Sequence, residues 1–195
     1  MNLANTLTFS RFLITPLFMG VYLYPAFFGV SEPFFPYVLI ALLVLVELSD
    51  MLDGIIARRL NQVTEMGKLI DPLADSIWRI SLFLTFVAPP IHLPVWVVFL
   101  FLARDLTIST LRSLLALKGI ALAARFSGKL KAVLQGVSAF VILTLLIPFQ
   151  AGLITQEELT FFATLVALVP CLWSLISGVD YFLSAKSYLP CHPKS

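Results

Sequence analysis

Apolar residues fill six long stretches of the chain, and turn-forming or charged residues separate them. Each stretch approaches the length of about 20 mostly apolar residues that a helix needs to cross a membrane. The pattern therefore predicts six membrane-spanning helices. The predicted spans run from about Phe12 to Val30, Pro36 to Arg59, Gly67 to Pro90, Pro94 to Leu114, Ala132 to Phe149 and Leu159 to Leu183.

The N-terminal segment is predicted to stay in the protein. It has no basic n-region ahead of an apolar core and no small-residue cleavage site nearby, so we interpret the first apolar stretch as a retained span. Residues 2–9 predict a short interfacial helix lying on the membrane. No repeat or long linker divides the chain. The predicted fold class is an all-α polytopic membrane protein with one domain over residues 1–195.

Composition and charge agree with a membrane protein. Hydrophobic residues make up 59% of the chain and charged residues 12%, about half the charged share of a typical soluble domain. The mean hydropathy of +0.98 argues against a soluble globular domain, a disordered chain and a disulfide scaffold. The net charge of +2 is too small to indicate nucleic-acid binding.

The basic residues predict the orientation of the helices. Of the 13 Lys and Arg residues, Arg79 and Arg104 fall well inside the predicted spans. The other 11 lie near the termini and near the connections after spans two and four, and the three opposite loops hold none. Because cytoplasmic loops of membrane proteins are rich in Lys and Arg, we expect both termini in the cytoplasm.

Four aspartates occupy positions where a membrane helix normally has apolar residues. Asp50 and Asp53 lie three residues apart on span two, and Asp71 and Asp75 lie four apart on span three. Each pair shares one helix face. Residues equally far from the turn of an antiparallel hairpin lie at equal depth, so we expect the two pairs to meet in one pocket. A carboxylate deep in a membrane helix costs roughly 2.5–3.5 kcal/mol, which indicates a common function for the four.

A metal site is the interpretation that accounts for all four carboxylates. Two divalent cations would balance their charge, and carboxylate ligands suit Mg²⁺ or Mn²⁺, which typically share their coordination with substrate phosphates. A proton or ion pathway is the other interpretation, although such pathways usually need fewer acids.

Two further charges lie one helical turn deeper than the aspartates. Glu47 precedes Asp50 by three residues, and Arg79 follows Asp75 by four. The same depth rule places Glu47 and Arg79 at one level, and either charge alone would be costly inside a membrane. We therefore predict a salt bridge between them at the floor of the pocket.

The residues around the acids form the pattern D-x2-D-G-x2-A-R-x8-G-x3-D-x3-D, which resembles the signature of the CDP-alcohol phosphatidyltransferase family. The fixed positions are Asp50, Asp53, Gly54, Ala57, Arg58, Gly67, Asp71 and Asp75. The resemblance implies that the four aspartates hold two divalent metals, Mg²⁺ or Mn²⁺, and that Asp75 is the general base. It also implies a binding segment for the CDP part of the lipid donor, formed by Asp50, Gly54, Ala57, Arg58 and Gly67.

Other segments resemble the phosphatidylglycerophosphate synthases of that family, among them residues 4–11, 61–75, 103–124 and 128–135. The implied reaction transfers a phosphatidyl group from CDP-diacylglycerol to sn-glycerol 3-phosphate and releases phosphatidylglycerophosphate and CMP. An acceptor that carries a phosphate needs a cationic pocket. By resemblance, the residues that bind this phosphate are Arg104, Arg112, Lys129 and Lys131.

These cations also have simpler interpretations. A local ion pair between Arg104 and Asp105 is disfavoured, because adjacent residues of a helix do not face each other. Lys129 and Lys131 are two residues apart and point to different helix faces, so we expect one of them to anchor lipid head groups.

Location and acceptor follow from the same resemblance. It implies a multi-pass enzyme of the bacterial inner membrane, surrounded by membrane lipids, with its active site towards the cytoplasm, and it allows a homodimer.

Another acceptor stays open, such as phosphatidylglycerol in a cardiolipin synthase or an inositol phosphate. The alternatives from other classes are a divalent metal transporter and a non-catalytic lipid-binding relative. Polar groups clustered at one face disfavour the first, and the complete signature disfavours the second.

Replacing Asp75 with Asn should abolish turnover and leave the protein folded and inserted in the membrane. Asn keeps the shape of the side chain but is a poor base and a weaker metal ligand. CMP release measured on the purified variant tests this, with detergent-extracted yield as the control for folding. Near-wild-type CMP release would exclude Asp75 as the base.

Overall fold

The computed structural model describes the backbone of residues 3–59, 65–117, 119 and 125–186, and the side chains of residues 11–49, 73–117, 119 and 125–186. Within these ranges the chain is helical and contains no strand, which confirms the predicted all-α class. A short 3-10 turn, Glu32–Phe34, precedes the second helix. The helices are α1 Leu3–Leu23, α2 Phe35–Arg59, α3 Glu65–Thr85, α4 Val95–Leu117, α5 Phe126–Gln150 and α6 Gln156–Ala185.

Several helix ends differ from the predicted spans. The separate interfacial helix predicted at residues 2–9 is wrong, because residues from Leu3 onwards continue directly into α1. That helix ends at Leu23 and not near Val30, since Pro25 has no backbone N–H to continue it. The third helix ends at Thr85, before the proline pair at residues 89–90. The fifth begins at Phe126, six residues before the predicted start.

Three of the described helices are long and apolar enough to cross a membrane. The qualifying segments are Glu32–Ser49, Phe126–Gln150 and Gln156–Ala185, and Arg11–Leu23 forms a shorter apolar stretch. The helices α3 and α4 carry charged residues along their length, among them Asp75 and Arg104. In α4 these charges lower the apolar character of the helix, whereas the side chains of α3 are described only over residues 73–85, which is shorter than a span.

The helices pack as a closed ring in the order α1, α2, α5, α6, α4 and α3, so each has two neighbours. In addition, α3 and α5 touch each other across the ring. The second, third and fifth helices therefore come together on one side, and the fourth, fifth and sixth on the other. This arrangement brings charged positions from distant parts of the sequence into the interior.

Aromatic side chains fill the interior towards one end of the bundle. Phe18 of α1 meets Trp78 of α3 edge to face, with ring centroids 5.5 Å apart. Phe83 packs against Phe86 and against Phe101 of α4, at 5.8 and 4.9 Å between centroids. All five of these side chains are buried. The cluster joins α1, α3 and α4 through apolar burial, the largest favourable contribution to folding.

Hydrogen bonds show that the three loops without basic residues share one end of the bundle. The hydroxyl of Tyr22, at the end of α1, donates to the carbonyl of Ala88 at 3.2 Å and accepts from the N–H of Ile91 at 3.4 Å. Thr160 of α6 donates to the carbonyl of Ile91 at 3.0 Å. Gln156 donates to the carbonyl of a proline in the same α3–α4 loop. Successive helices therefore alternate in direction.

Replacing Tyr22 with Phe should lower the free energy of unfolding by about 1 kcal/mol, because both hydrogen bonds of its buried hydroxyl are lost. Denaturation of the detergent-solubilised protein measures the change. Tyr24→Phe is the matched control, since Tyr24 is exposed and adjacent to the same loop. Equal effects of the two variants would contradict the structural role of the Tyr22 hydroxyl.

Candidate active site

Asp75 and Arg79 form an ion pair one turn apart on α3. The guanidinium Nε of Arg79 donates to Oδ1 of Asp75 at 2.9 Å. The side chain of Arg79 is buried, whereas that of Asp75 is 34% exposed. Within the described part of the chain, the second oxygen of Asp75 accepts no hydrogen bond. The pair therefore fixes one carboxylate oxygen, and no hydrogen bond from a described residue holds the other.

Arg79 also forms the predicted salt bridge with Glu47. Its Nη1 lies 3.4 Å from Oε1 of Glu47 on α2, which confirms the pairing expected from depth alone. The same nitrogen donates to the carbonyl of Ala132 on α5 at 2.9 Å. A Cβ atom at Gly136 would lie 3.4 Å from the Glu47 carboxylate, so glycine leaves room for this acid. One buried guanidinium thus joins α2, α3 and α5.

Three of the four predicted metal-binding aspartates lie outside the residues whose side chains are described: Asp50, Asp53 and Asp71. The same holds for the predicted CDP-binding residues Gly54, Ala57, Arg58 and Gly67. All seven positions belong to the helices α2 and α3, and the Glu47–Arg79 pair holds these helices together one turn deeper.

Asp75 is the one signature aspartate whose side chain is described, and its carboxylate fits a hard divalent cation. Among the described residues no group of three or more His, Cys, Asp or Glu side chains could hold a metal ion. Asp75 nevertheless offers a partly exposed carboxylate with one oxygen free of hydrogen bonds, and carboxylate oxygens are the ligands that Mg²⁺ and Mn²⁺ prefer. The meeting of all four aspartates stays a prediction.

Arg104, Asp105 and Lys131 form a second buried charge cluster, which joins α4 to α5. Oδ1 of Asp105 accepts from Nζ of Lys131 at 2.5 Å and from Nη1 of Arg104 at 3.1 Å. The expectation that Arg104 does not pair with its neighbour was wrong. The long arginine side chain bends back so that its head reaches the adjacent carboxylate, although their Cβ atoms diverge. The described structure thus brings together two of the four predicted phosphate-binding cations.

Contacts with α6 also hold the guanidinium of Arg104. Its Nη2 donates to Oγ of Ser177 at 2.6 Å, and its Cζ lies 5.5 Å from the centre of the Tyr181 ring. A Cβ atom at Gly178 would lie 3.5 Å from Cγ of Arg104, so this glycine lets the side chain pass close to the helix. Arg104 is therefore fixed by hydrogen bonds and by stacking on an aromatic face.

Lys129 and Arg112, the other two predicted cations, are less buried than Arg104 and Lys131. Lys129 is exposed, whereas Lys131 is 5% exposed, as expected for lysines two residues apart that point to different faces. Arg112 lies two turns beyond Arg104 on α4 and is partly exposed. Within the described residues, neither Arg112 nor Lys129 has an ion-pair partner. Their role in binding an acceptor stays a prediction.

The two clusters carry opposite net charge. The acidic cluster of Glu47, Asp75 and Arg79 has a net charge of −1, since two carboxylates face one guanidinium. The cationic cluster of Arg104, Asp105 and Lys131 has a net charge of +1. The two clusters adjoin on α5, because Arg79 donates to the carbonyl of Ala132, the residue that follows Lys131. The site can therefore hold an anion beside a carboxylate, the arrangement that a phosphorylated nucleophile and its general base require.

A polar clamp that was not anticipated from the sequence fixes the start of α5 against α6. Asp180 accepts hydrogen bonds from Ser127 at 2.5 Å and from Nε of Arg125 at 2.9 Å. The hydroxyl of Tyr181 accepts from the backbone N–H of Arg125 at 2.9 Å. A Cβ atom at Gly128 would lie 3.0 Å from that hydroxyl. The one available signal was Asp180 itself, a charged residue inside an apolar helix.

An apolar groove of about 380 Å³ opens between α4 and α6 beside Arg104. Its walls include Ile108, Val179 and Phe182, and the last two are exposed on the outside of the bundle. The groove therefore connects the apolar surface with the cationic cluster.

Comparison with known proteins gives consistent matches over nearly the whole chain. The model of a family described as CDP-alcohol phosphatidyltransferase matches residues 1–178. A CDP-diacylglycerol–glycerol-3-phosphate 3-phosphatidyltransferase of Bacillus subtilis (strain 168) is 32% identical over 188 residues, 93% of this chain and 93% of the relative. One of Aquifex aeolicus (strain VF5) is 32% identical over 189 residues, 94% and 95% of the two chains. A probable phosphatidylglycerophosphate synthase of Mycobacterium tuberculosis (strain ATCC 25618 / H37Rv) is 31% identical over 185 residues, 94% and 81%.

Glu47→Gln and Arg79→Gln should each destabilise the detergent-solubilised protein, and the double variant should cost about 1 kcal/mol less than the sum of the two. The reason is the direct ion pair, whose energy is lost only once. Unfolding free energies of the four proteins measure the coupling. Glu32→Gln is the control partner for Arg79→Gln, because Glu32 lies at the opposite end of the bundle, and this combination should be additive. Additive losses for Glu47 and Arg79 would show that their ion pair contributes nothing.

Proposed function

This chain belongs to the CDP-alcohol phosphatidyltransferase family, and we propose that it transfers the phosphatidyl group of CDP-diacylglycerol to sn-glycerol 3-phosphate, releasing phosphatidylglycerophosphate and CMP. Relatives that carry this activity in their names match over 93% and 94% of the chain. The choice of acceptor rests on these names and on the chemistry of the site.

One observation carries the proposal: Arg104 and Lys131 are buried together, and Lys131 precedes the residue whose carbonyl binds Arg79 of the acidic cluster. These two cations share the single carboxylate of Asp105, so the cluster keeps a net charge of +1 that a ligand can neutralise. A phosphate group of the acceptor satisfies that charge, because guanidinium and ammonium groups form strong charged hydrogen bonds with phosphate oxygens. Arg112 and Lys129 extend the positive charge towards the cytoplasmic end, where a water-soluble acceptor enters.

Asp75 acts as the general base in this proposal. Arg79 holds one of its oxygens at 2.9 Å, so the carboxylate keeps a fixed orientation towards the acceptor. The free oxygen takes the proton of the primary hydroxyl of glycerol 3-phosphate. The hydroxyl oxygen then attacks the phosphorus on the lipid side of the donor, and the bond to the CMP oxygen breaks.

Asp50, Asp53, Asp71 and Asp75 would hold two divalent cations, Mg²⁺ or Mn²⁺, which neutralise the diphosphate of the donor and stabilise the departing CMP. Gly54, Ala57, Arg58 and Gly67 would line the place of the CDP group, together with Asp50. Glycine has no side chain and alanine a small one, so these residues would let a flat nucleotide approach the backbone, and Arg58 would pair with a phosphate.

The same proposal includes the membrane arrangement. All six helices cross the bacterial inner membrane, and both termini lie in the cytoplasm, as the distribution of Lys and Arg predicts. The active site then lies at the cytoplasmic boundary of the membrane. The apolar groove between α4 and α6 supports sideways entry of a lipid, because it opens beside Arg104.

The test is CMP release from CDP-diacylglycerol in detergent micelles with Mg²⁺, with one acceptor added at a time. Glycerol 3-phosphate should give the fastest release, and phosphatidylglycerol, inositol phosphate and no acceptor should give little. Asp75→Asn serves as the inactive control. Faster release with phosphatidylglycerol or inositol phosphate would assign that acceptor instead. Divalent-ion flux into proteoliposomes without any CMP release would identify a metal transporter.

A further inference from the structure

One face of α6 holds the guanidinium of Arg104. Nη2 of Arg104 donates to Oγ of Ser177 at 2.6 Å, and Cζ lies 5.5 Å from the centre of the Tyr181 ring. Ser177 and Tyr181 are four residues apart, so they share one face of the helix. The bond from Arg104 to Asp105, at 3.1 Å, stays within α4. Two side chains of α6 therefore hold this guanidinium against a helix other than its own.

Tyr181 also reaches the start of α5. Its hydroxyl accepts from the backbone N–H of Arg125 at 2.9 Å, and a Cβ atom at Gly128 would lie 3.0 Å from that hydroxyl. Gly128 precedes Lys131 by three residues, so the two positions share one face of α5. The tyrosine is 4% exposed, which leaves its side chain little room to move. One side chain therefore contacts Arg104 with its ring and the turn before Lys131 with its hydroxyl.

Stacking holds a guanidinium without occupying its hydrogen-bond donors. The group is planar and always charged, and it is attracted to the face of an aromatic ring while its N–H groups lie at its edge. Nε of Arg104 is buried and has no hydrogen-bond partner among the described residues. A buried donor without a partner is costly, and a phosphate oxygen would supply one. The contacts on α6 therefore hold Arg104 without using its Nε donor.

We propose that Tyr181 is a positioning residue, whose ring holds the guanidinium of Arg104 at the acceptor phosphate. This inference rests on the proposed function, in which Arg104 and Lys131 bind that phosphate. Two cations bind one phosphate well only when they are held at a suitable separation. The tyrosine lies between Arg104 and the turn of α5 before Lys131, so it supports that separation. Its hydrogen bond to the backbone of Arg125 in turn holds the ring.

The first measurement compares Tyr181→Leu, which removes the aromatic face, with Tyr181→Phe, which keeps it. Tyr181→Leu should raise the KM for glycerol 3-phosphate about tenfold, as for the loss of a buried cation–π contact. The KM for CDP-diacylglycerol and kcat per folded enzyme should stay within about twofold, because Arg104 binds the acceptor phosphate equally in the ground and transition states. Tyr181→Phe should raise the KM for glycerol 3-phosphate by no more than about threefold, since the ring remains. Equal increases for the two variants, or for the two substrates, would overturn the proposal.

The decisive measurement is a double-mutant cycle with Arg104→Lys, which keeps the positive charge but loses the planar group that stacks on the ring. In this background Tyr181→Leu should lower kcat/KM for glycerol 3-phosphate by less than about threefold, against about tenfold in the wild type. Arg112→Gln is the matched control, because it removes another cation of α4, and there the full effect of Tyr181→Leu should remain. The same factor in the wild-type and Arg104→Lys backgrounds would show that Tyr181 acts only through the fold, and the proposal would fail.

Further controls keep this test independent of folding and of the proposed function. Tyr22→Leu also removes a buried tyrosine, at the opposite end of the bundle, so it should lower the melting temperature and leave both KM values unchanged. If Tyr181→Leu does not accumulate as folded protein, Tyr181→Met replaces it with the same expectations, because methionine fills irregular space without an aromatic face. No CMP release by the wild type with glycerol 3-phosphate would refute the proposed function. An active wild type whose KM does not respond to the loss of the ring would refute the role of Tyr181 alone.

Discussion

Charged groups inside an apolar helix bundle need partners, and this requirement decides how the described helices meet. Arg79 is almost completely buried, and it satisfies its charge with Glu47 on α2, Asp75 on its own helix and a backbone carbonyl on α5. Removing one partner from such a set leaves a charge without compensation in a medium of low dielectric constant, which costs far more than a surface ion pair contributes. One guanidinium therefore constrains the rotation of three helices about their axes.

The same requirement shapes the chemistry of the site. Asp105 pairs with both Arg104 and Lys131, and the shared carboxylate reduces the repulsion between these two cations. In the proposed function, the two cations bind the phosphate of the acceptor. The acidic and cationic clusters adjoin on α5, where Arg79 binds the carbonyl of Ala132 next to Lys131, and their net charges are −1 and +1. In the proposed function the acceptor is both an anion and an alcohol. Its phosphate would then lie beside the positive cluster, and its hydroxyl would lie beside the carboxylate of Asp75.

The hydrogen bonds between loops and the proposed active site lie towards opposite ends of the bundle. Aromatic packing and the hydrogen bonds of Tyr22 tie the loops at one end together. The charged clusters lie towards the other end, where the helices carry the signature aspartates. The packed apolar core makes the helices rigid. Rigid helices hold charged side chains in fixed positions more accurately than loops do.

The sequence by itself determined the helical class and the relative position of each charged residue along its helix, because hydrophobic periodicity and a rise of about 1.5 Å per residue are local properties. Depth was sufficient to predict the pair of Glu47 and Arg79. It was not sufficient for Asp105, whose bond to Lys131 depends on the packing of α4, α5 and α6 in one ring. Nor did it predict the clamp around Asp180. Which side chains meet across helices depends on the rotation and neighbours of each helix, and these are decided only when the buried charges and aromatic side chains of all six find their partners together.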